Sequence, residues 1–427
     1  MKHIYFSGVG GAAIGPLALI AMQAGYTVSG SDKQDSAYVA NLRSKGITDI
    51  HVGQTVESIA ALHSKKPIDW IVYSSAVPKE YPNHPELLFA KELGIHATKR
   101  DEFLNQLLLD TGQKMIAIAG THGKTTTTAM TIWLFKQLQL PASYSVGGKL
   151  SFGGVGQFDP DAEYFIYEAD EYDRNFLSFY PLMSIIPGIA YDHPDIYPTQ
   201  QNYNQAFVDF LQQSERAVLW QADADKISIS ADESTTLLDN ATDLSHITLA
   251  GRVNRINAHL AVVGLEKLGL CDYGQGIEII NQFPGVSRRF EKLADNLYTD
   301  YAHTPEKIAG ALQLTHEIAG NNVVVVYEGL HNTRQHFIKQ QLENMFINAK
   351  KLYVVPSYLA REDQSLEMLT PEKLIELMSV PENRQPAELD DSLKHSINQH
   401  LSEGSLVICL TAGGGGSLDE WLRKEFK

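Results

Sequence analysis

Apolar runs of strand length that alternate with helix-spaced segments predict an α/β protein with mostly parallel sheets. Two glycine turns, Gly8–Ala13 and Gly120–Gly123, support this, because each lies where a strand gives way to a helix. A chain of 427 residues exceeds one ordinary core, so two or three domains are expected. With 44% hydrophobic and 20% charged residues it is globular. The formal charge of −16 argues against broad nucleic-acid or anionic-membrane binding, since both need a cationic face. Cys271 and Cys409 make no metal or redox spacing. No apolar run approaches the ~20 residues that span a bilayer. A soluble cytoplasmic protein is the expectation.

The chain opens with a strand, His3–Ser7. Gly8-Val9-Gly10-Gly11-Ala12-Ala13 then matches G-x-G-x-x-A, and Leu17–Met22 continues as a helix. Thr27–Asp32 is a second strand, ending in an acid at the offset where a ribose hydroxyl is held. Either a nucleotide or nucleotide-sugar rests on this loop, or the turn is a plain one with Asp32 capping a helix. Trp70–Tyr73 reads as a further strand, and a helix begins near Glu86. Gly94–Ala97 suggests a last short strand, and a boundary falls near Leu109–Gly112.

Met115–Ala119 is a buried-type strand, and Met130, Trp133, Leu134 and Leu138 recur at helical spacing. Between them stands Gly120-Thr121-His122-Gly123-Lys124-Thr125, followed by Thr126, in the layout of a phosphate-binding loop. Lys124 would neutralise the outer phosphates, and the Thr125 hydroxyl would sit on a magnesium ion. The usual form needs a glycine at 118, where this chain has Ile118, so the loop is a tighter variant. Glu163–Tyr167 reads as a strand beside it, running into Glu168-Ala169-Asp170-Glu171-Tyr172-Asp173. A hard cation wants oxygen ligands next to the phosphates, and Glu168 is the candidate. The strand Met183–Ile186 leads to Asp192-His193, and His193 can ligate a second metal or touch a phosphate. Asn254 and Asn257 share one face of the helix that Gly251–Ala258 opens; paired amides suit a base edge or, equally, a helix cap.

Strands at Leu297–Asp300, Val323–Tyr327, Leu352–Val355 and Leu406–Leu410, with helices between, describe another α/β unit. Two strand ends carry polar clusters, Asp300–Pro305 and His331–Arg334, which are candidates to close over a substrate or are solvated loops. Gly413–Gly416 could cradle an anion or form a flexible turn.

Taken in order, GTHGKTTTT, EADEYD, Asp192-His193, NxxNA at 254–258, RRFE at 288–291 and DYAHTP at 300–305 resemble the Mur ligases of peptidoglycan precursor synthesis, along essentially the whole chain. The resemblance implies three domains. These are a Rossmann-like N-terminal domain for a UDP-sugar (1–109), a central P-loop ATPase domain with a mostly parallel sheet (110–285), and a Rossmann-like C-terminal α/β domain that docks the amino acid and nucleotide (286–427). It implies ATP and Mg2+ as cofactors. Gly120, Thr121, His122, Gly123, Lys124, Thr125 and Thr126 would hold the phosphates, with Thr125, Glu168 and His193 on the metal ions. Asn254 and Asn257 would meet the adenine, and Arg289 and Asp300 the nucleotide from the third domain. Gly10, Gly11, Asp32, Ser75, Arg100 and Tyr172 fall on the UDP-sugar side, while His303 and Arg334 lie near the incoming amino acid and the acyl phosphate. Lys124, His193, Arg289, His303 and Arg334 are thereby the implied catalytic set.

The implied reaction joins L-alanine to UDP-N-acetylmuramate through an acyl phosphate, in a monomer or homodimer that binds no nucleic acid and inserts into no membrane. Joining of L-Ala-γ-D-Glu-meso-diaminopimelate, a recycling reaction, is the alternative. Three departures bear on the choice of amine more than on the ligase chemistry. His303-Thr304 stands where L-alanine ligases usually carry two histidines, Tyr327–Leu330 replaces an aromatic-Gln-Pro-His start, and Gly188 replaces an Asn.

Overall fold

Three sheets carry the strands among the described residues. The computed structural model describes residues 2–11, 13–75, 77–78, 81–194, 196–359, 362–411 and 416–426. The first sheet contains β1 (His3–Ser7), β2 (Thr27–Asp32), β3 (Ile50–Val52), β4 (Trp70–Tyr73) and β5 (His96–Lys99), in the order β3-β2-β1-β4-β5 with every pair parallel. All of β1 is buried because both of its faces are covered. Ile4 and Phe6 pack with Leu17 and Leu104, and Tyr5 packs with Ile59, Leu62 and Phe89. Strand order reverses beside β1, which opens a crevice at its carboxyl end, where the first glycine turn stands.

The second sheet comprises β6 (Lys114–Ala119), β7 (Ala142–Ser145), β8 (Gly156–Gln157), β9 (Tyr164–Ala169), β10 (Met183–Ile186), β11 (Ala217–Trp220) and β12 (Thr235–Leu238). Its order is β12-β11-β10-β6-β9-β7-β8, antiparallel only between β7 and β8. The third comprises β13 (Glu291–Ala294), β14 (Leu297–Asp300), β15 (Val323–Leu330), β16 (Lys351–Tyr358), β17 (Arg384–Pro386) and β18 (Leu406–Leu410). Its order is β13-β14-β18-β15-β16-β17, antiparallel only between β13 and β14. The α/β class with parallel-dominated sheets is as expected.

The chain divides into two compact units, Met1–Ile247 with Asn257–Phe283, and Thr248–Ile256 with Pro284–Lys427. The first unit holds the first and second sheets, and the second unit holds the third. Within the first unit one apolar cluster runs from Ile4, Phe6 and Phe103 to Phe165, Phe176 and Phe207. Its two sheets are also stitched by polar contacts. Phe158 N–H donates to Gln23 Oε1 (2.7 Å), Asn105 Nδ2 to the Ser178 carbonyl (2.8 Å), and the Ser178 hydroxyl to Asp101 (2.7 Å). Gly156 permits this closeness, since a Cβ there would lie 2.8 Å from the Pro16 carbonyl oxygen.

Several expectations shift. The strand expected at Gly94–Ala97 occupies His96–Lys99, because Gly94 ends the preceding helix in the left-handed region at φ 67°. The helix after it, Arg100–Thr111, runs past position 109 to Gly112. Strands β3, β7, β8, β11, β12, β13 and β17 lie outside the strands read from the sequence. All are only two to four residues long, and β7 (Ala-Ser-Tyr-Ser) is fully buried without an apolar pattern, so pairing with neighbours defines it. Gly413–Gly415 lie outside the described residues, whereas Gly416 N–H donates to Glu420 (2.9 Å).

Candidate active site

The phosphate-type loop leaves the carboxyl end of β6, in the middle of the second sheet. Gly123 adopts φ 77° and starts the helix Lys124–Gln137. A Cβ there would stand 2.8 Å from Pro187 Cβ and 2.9 Å from Asn257 Oδ1, so glycine is required twice over. No side chain caps this helix start, and first-turn N–H groups lack intrahelical acceptors, so Lys124, Thr125 and Thr126 offer theirs to an anion.

Around the loop, each side chain takes a distinct job. Thr121 is turned inward: its hydroxyl donates to the Ala190 carbonyl (2.7 Å), lies 2.6 Å from Tyr203 Oη, and accepts from Ala190 N–H. Its own N–H donates to the Gly188 carbonyl, so Thr121 shapes the loop rather than meeting a ligand through these groups. The His122 ring occupies the space over Gly188, where an added Cβ would come within 1.8 Å of His122 Cε1. The glycine at 188 is therefore what this placement of His122 demands. Lys124 Nζ donates to the Gly120 carbonyl and to Glu171 Oε2, both at 2.6 Å. Burial lowers the Lys124 pKa, but Glu171, Asp170 and Glu168 raise it above the ordinary value, so it stays charged. The Thr125 hydroxyl donates to Glu168 Oε1 (2.9 Å), whose other oxygen accepts Gly147 N–H (2.7 Å).

His193 is held in the left-handed region at φ 57°, with its ring 5.0 Å from the Tyr172 ring and Nε2 at 3.7 Å from Glu171 Oε1. Burial pulls its pKa down, and Glu171 and Asp192 lift it above the usual value. For Glu171 burial acts upward, but Lys124 and His193 draw the carboxyl down to about 2.

At the first turn Gly10 N–H donates to Asp32 Oδ2 (2.8 Å), and Gln34 N–H reaches the other oxygen (3.3 Å). Asp32 thus closes the glycine turn instead of capping a helix; Ser36 caps the next one. Ser75, Arg100 and Tyr172 lie where the first and second sheets meet. The Ser75 hydroxyl donates to Asn175, and Arg100 Nη2 to Asp170 Oδ2, both at 3.3 Å, while Lys99 pairs with Asp173 at 2.9 Å. Asn257 is buried beside Gly123. Asn254 is partly exposed and donates back to the Ala250 carbonyl (2.8 Å), which makes it no N-cap, because a cap accepts.

In the second unit Asp300 ends β14 and accepts Phe290 N–H (2.7 Å). The Arg289 guanidinium lies over the Tyr301 ring (5.4 Å). His303 is buried against the same ring (4.7 Å), and its Nδ1 has no hydrogen-bond partner among the described residues. Burial, then Lys307, Arg334 and Arg289, hold its pKa well below the usual value, so it is neutral at pH 7. Arg334 lies in the helix Asn332–Leu342, whose cap His331 stands 3.4 Å from Glu362.

Two family models match the chain, "Mur ligase family, catalytic domain" over residues 3–111 and "Mur ligase middle domain" over 118–244. A UDP-N-acetylmuramate–L-alanine ligase of Clostridium beijerinckii is 31% identical over 399 residues, covering 84% of this chain and 84% of its own. The chain belongs to the Mur ligase family. Among solved structures, the UDP-N-acetylmuramate–alanine ligase MurC of Thermotoga maritima matches all of this Mur ligase and 98% of itself, with a TM-score of 0.77 at 22% identity. A murein peptide ligase of Psychrobacter arcticus gives 0.66 at 22% identity, over 100% of this chain and 99% of its own.

In a Mur ligase the second-sheet cluster has an evident chemistry. Among the described residues no group of three or more His, Cys, Asp or Glu side chains could hold a metal ion unaided. Magnesium does not need one, since it keeps waters and phosphate oxygens and takes only one or two carboxylates. The Thr125 hydroxyl facing Glu168 beside Lys124 fits that demand. His193, expected on a second ion, faces Glu171 and Asp192, with the left-handed turn at 193 setting the direction of its ring. Sequence reasoning left Glu171 aside: the run EADEYD shows four acids, and only the fold decides which one turns inward.

Proposed function

We propose that this chain is an ATP-dependent UDP-N-acetylmuramate–L-alanine ligase. The observation that carries the reading is the constellation of Lys124, Thr125 and Glu168 at the mouth of β6 and β9, in a chain 31% identical to a relative bearing that name. A muramyl carboxylate oxygen attacks the γ-phosphorus of ATP, ADP leaves, and an acyl phosphate forms. The amine of alanine then adds to the acyl carbon and phosphate departs. Two anions must meet, so positioning and charge neutralisation dominate. Lys124 neutralises the phosphates, and N–H groups at the helix start orient them. Thr125 and Glu168 would hold Mg2+, which supplies charge stabilisation on the transferring phosphoryl group. His303 and Arg334 serve the amine and acyl phosphate, and Asp32 with Gly10 and Gly11 the UDP-sugar.

Residues 1–109 serve the sugar in this reading, 110–285 the nucleotide and 286–427 the amine. Two free cysteines, Cys271 and Cys409, fit a reducing cytoplasm. The test is phosphate release on ATP and UDP-N-acetylmuramate with a panel of amines. L-alanine is expected to drive release best. A preference for L-Ala-γ-D-Glu-meso-diaminopimelate would replace this reading with the recycling one, toward which the Glu171-Tyr172-Asp173 run points.

A further inference from the structure

The acid between Lys124 and His193 has no part in the mechanism so far. We infer that Glu171 is a positioning residue for phosphoryl transfer, aiming the Lys124 ammonium with one carboxylate oxygen and the His193 imidazole with the other. The inference rests on the ligase reading above and names a residue that reading leaves idle.

Glu171 is 1% exposed, with Oε2 at 2.6 Å from Lys124 Nζ and Oε1 at 3.7 Å from His193 Nε2. Its main chain is anchored too: the carbonyl accepts the Tyr197 hydroxyl (2.6 Å) and Arg174 N–H (3.1 Å). The neighbouring Asp170 is held by Arg100, and Asp173 by Lys99. Asp173 and Arg174 both sit in the left-handed region, at φ 56° and 57°, a strain that persists only where the surroundings over-determine it. The carboxylate therefore cannot drift, and what it touches is fixed with it. Among the described residues, the other hydrogen bond that steers the flexible four-carbon stem of Lys124 goes to the Gly120 carbonyl. An ammonium carries three donors, so two can stay on Gly120 and Glu171 while the third meets a phosphate oxygen. The two acids of the loop thus divide the labour, Glu168 facing Thr125 and Glu171 facing Lys124.

The test compares Glu171→Gln and Glu171→Asp with the parent in amine-dependent phosphate release, with ATP binding followed by calorimetry. Glu171→Gln is expected to lower kcat about a hundredfold, the scale of one misplaced transition-state contact, with the KM for ATP changed less than threefold. Glu171→Asp keeps the charge on a shorter arm and should recover at least tenfold of that loss. A kcat for Glu171→Gln within threefold of the parent overturns the inference. So does an equal loss in both variants accompanied by lost ATP binding, which marks a purely structural ion pair. A parent that releases no amine-dependent phosphate sinks the ligase reading and this inference together, whereas an active parent beside an unaffected Glu171→Gln sinks the inference alone.

Discussion

At residues 8–11 a buried parallel strand runs into glycines and then a helix; at 120–123 the chain does so again. Their finished chemistry differs. In the first turn a backbone donor, Gly10 N–H, is met by the Asp32 carboxylate, and Gly11 N–H turns back to the Gly8 carbonyl. In the second the acid Glu171 faces a lysine ammonium, and a separate acid, Glu168, faces a hydroxyl. The first turn therefore suits hydroxyl-rich recognition, in which an acid accepts from a sugar. The second suits a polyanion, for which fixed positive charge and a cation ligand are needed. A shared strand–glycine–helix plan decides where a ligand sits, and the side chains closing the turn decide which ligand.

The largest expected effect breaks the second turn. Lys124→Ala should lower alanine-dependent phosphate release about a hundred- to a thousandfold while circular dichroism stays native. Near-normal turnover would reduce the two turns to equivalents. Next, Gly123→Ala forces a Cβ toward Pro187 and Asn257 at a left-handed position. The strain is roughly 1–2 kcal/mol, and kcat/KM for ATP is expected to fall at least about tenfold as the helix start tilts. If ATP kinetics are unchanged, the loop does not shape the nucleotide site. Asp32→Ala sharpens the contrast from the other side. The KM for UDP-N-acetylmuramate should rise about tenfold, roughly 1.4 kcal/mol, with the KM for ATP unmoved. Equal shifts in both would show that the turns do not divide the substrates.

The smallest effect concerns a third acid that closes a backbone donor. Asp300 accepts Phe290 N–H as Asp32 accepts Gly10 N–H, but burial pushes its carboxyl up to about 6, against the pull of Arg289. A folded-state pKa raised above the unfolded value near 3.8 means the folded chain binds the proton more tightly. That contribution to stability is complete below the unfolded pKa and is lost as pH rises through about 6. Across this window the Tm of the parent should therefore decline by a few degrees relative to Asp300→Asn. Parallel Tm curves for the two proteins would show that Asp300 ionises freely.

Much of the site was legible because its chemistry is local. A strand, two glycines, a lysine and a threonine in sequence already describe a strand-to-helix turn with its N–H groups free for an anion, and Glu168 follows from its place at the end of a paired strand. Asn257 beside Gly123 was within reach of spacing arguments, although Asn254 proved to be turned to its own backbone. The inward turn of the Thr121 hydroxyl was not legible, because its partner Ala190 lies 69 positions away along the chain. The short strands were missed for another reason. Ala142–Ser145 and Gly156–Gln157 carry no pattern of their own and exist through pairing with β9 and with each other.

By itself the amino-acid order determined the α/β class, the position of both glycine turns and the family, since each depends on contacts between residues near in sequence. Tertiary structure alone decided that Glu171 faces Lys124, that His122 needs a glycine at 188, and that Arg100 and Ser75 belong to a seam between two sheets. Those partners lie 47, 70 and 100 positions apart for Lys124, Arg100 and Ser75, and only packing brings such groups within hydrogen-bond reach. No periodicity records a contact between residues that meet once, far apart along the chain.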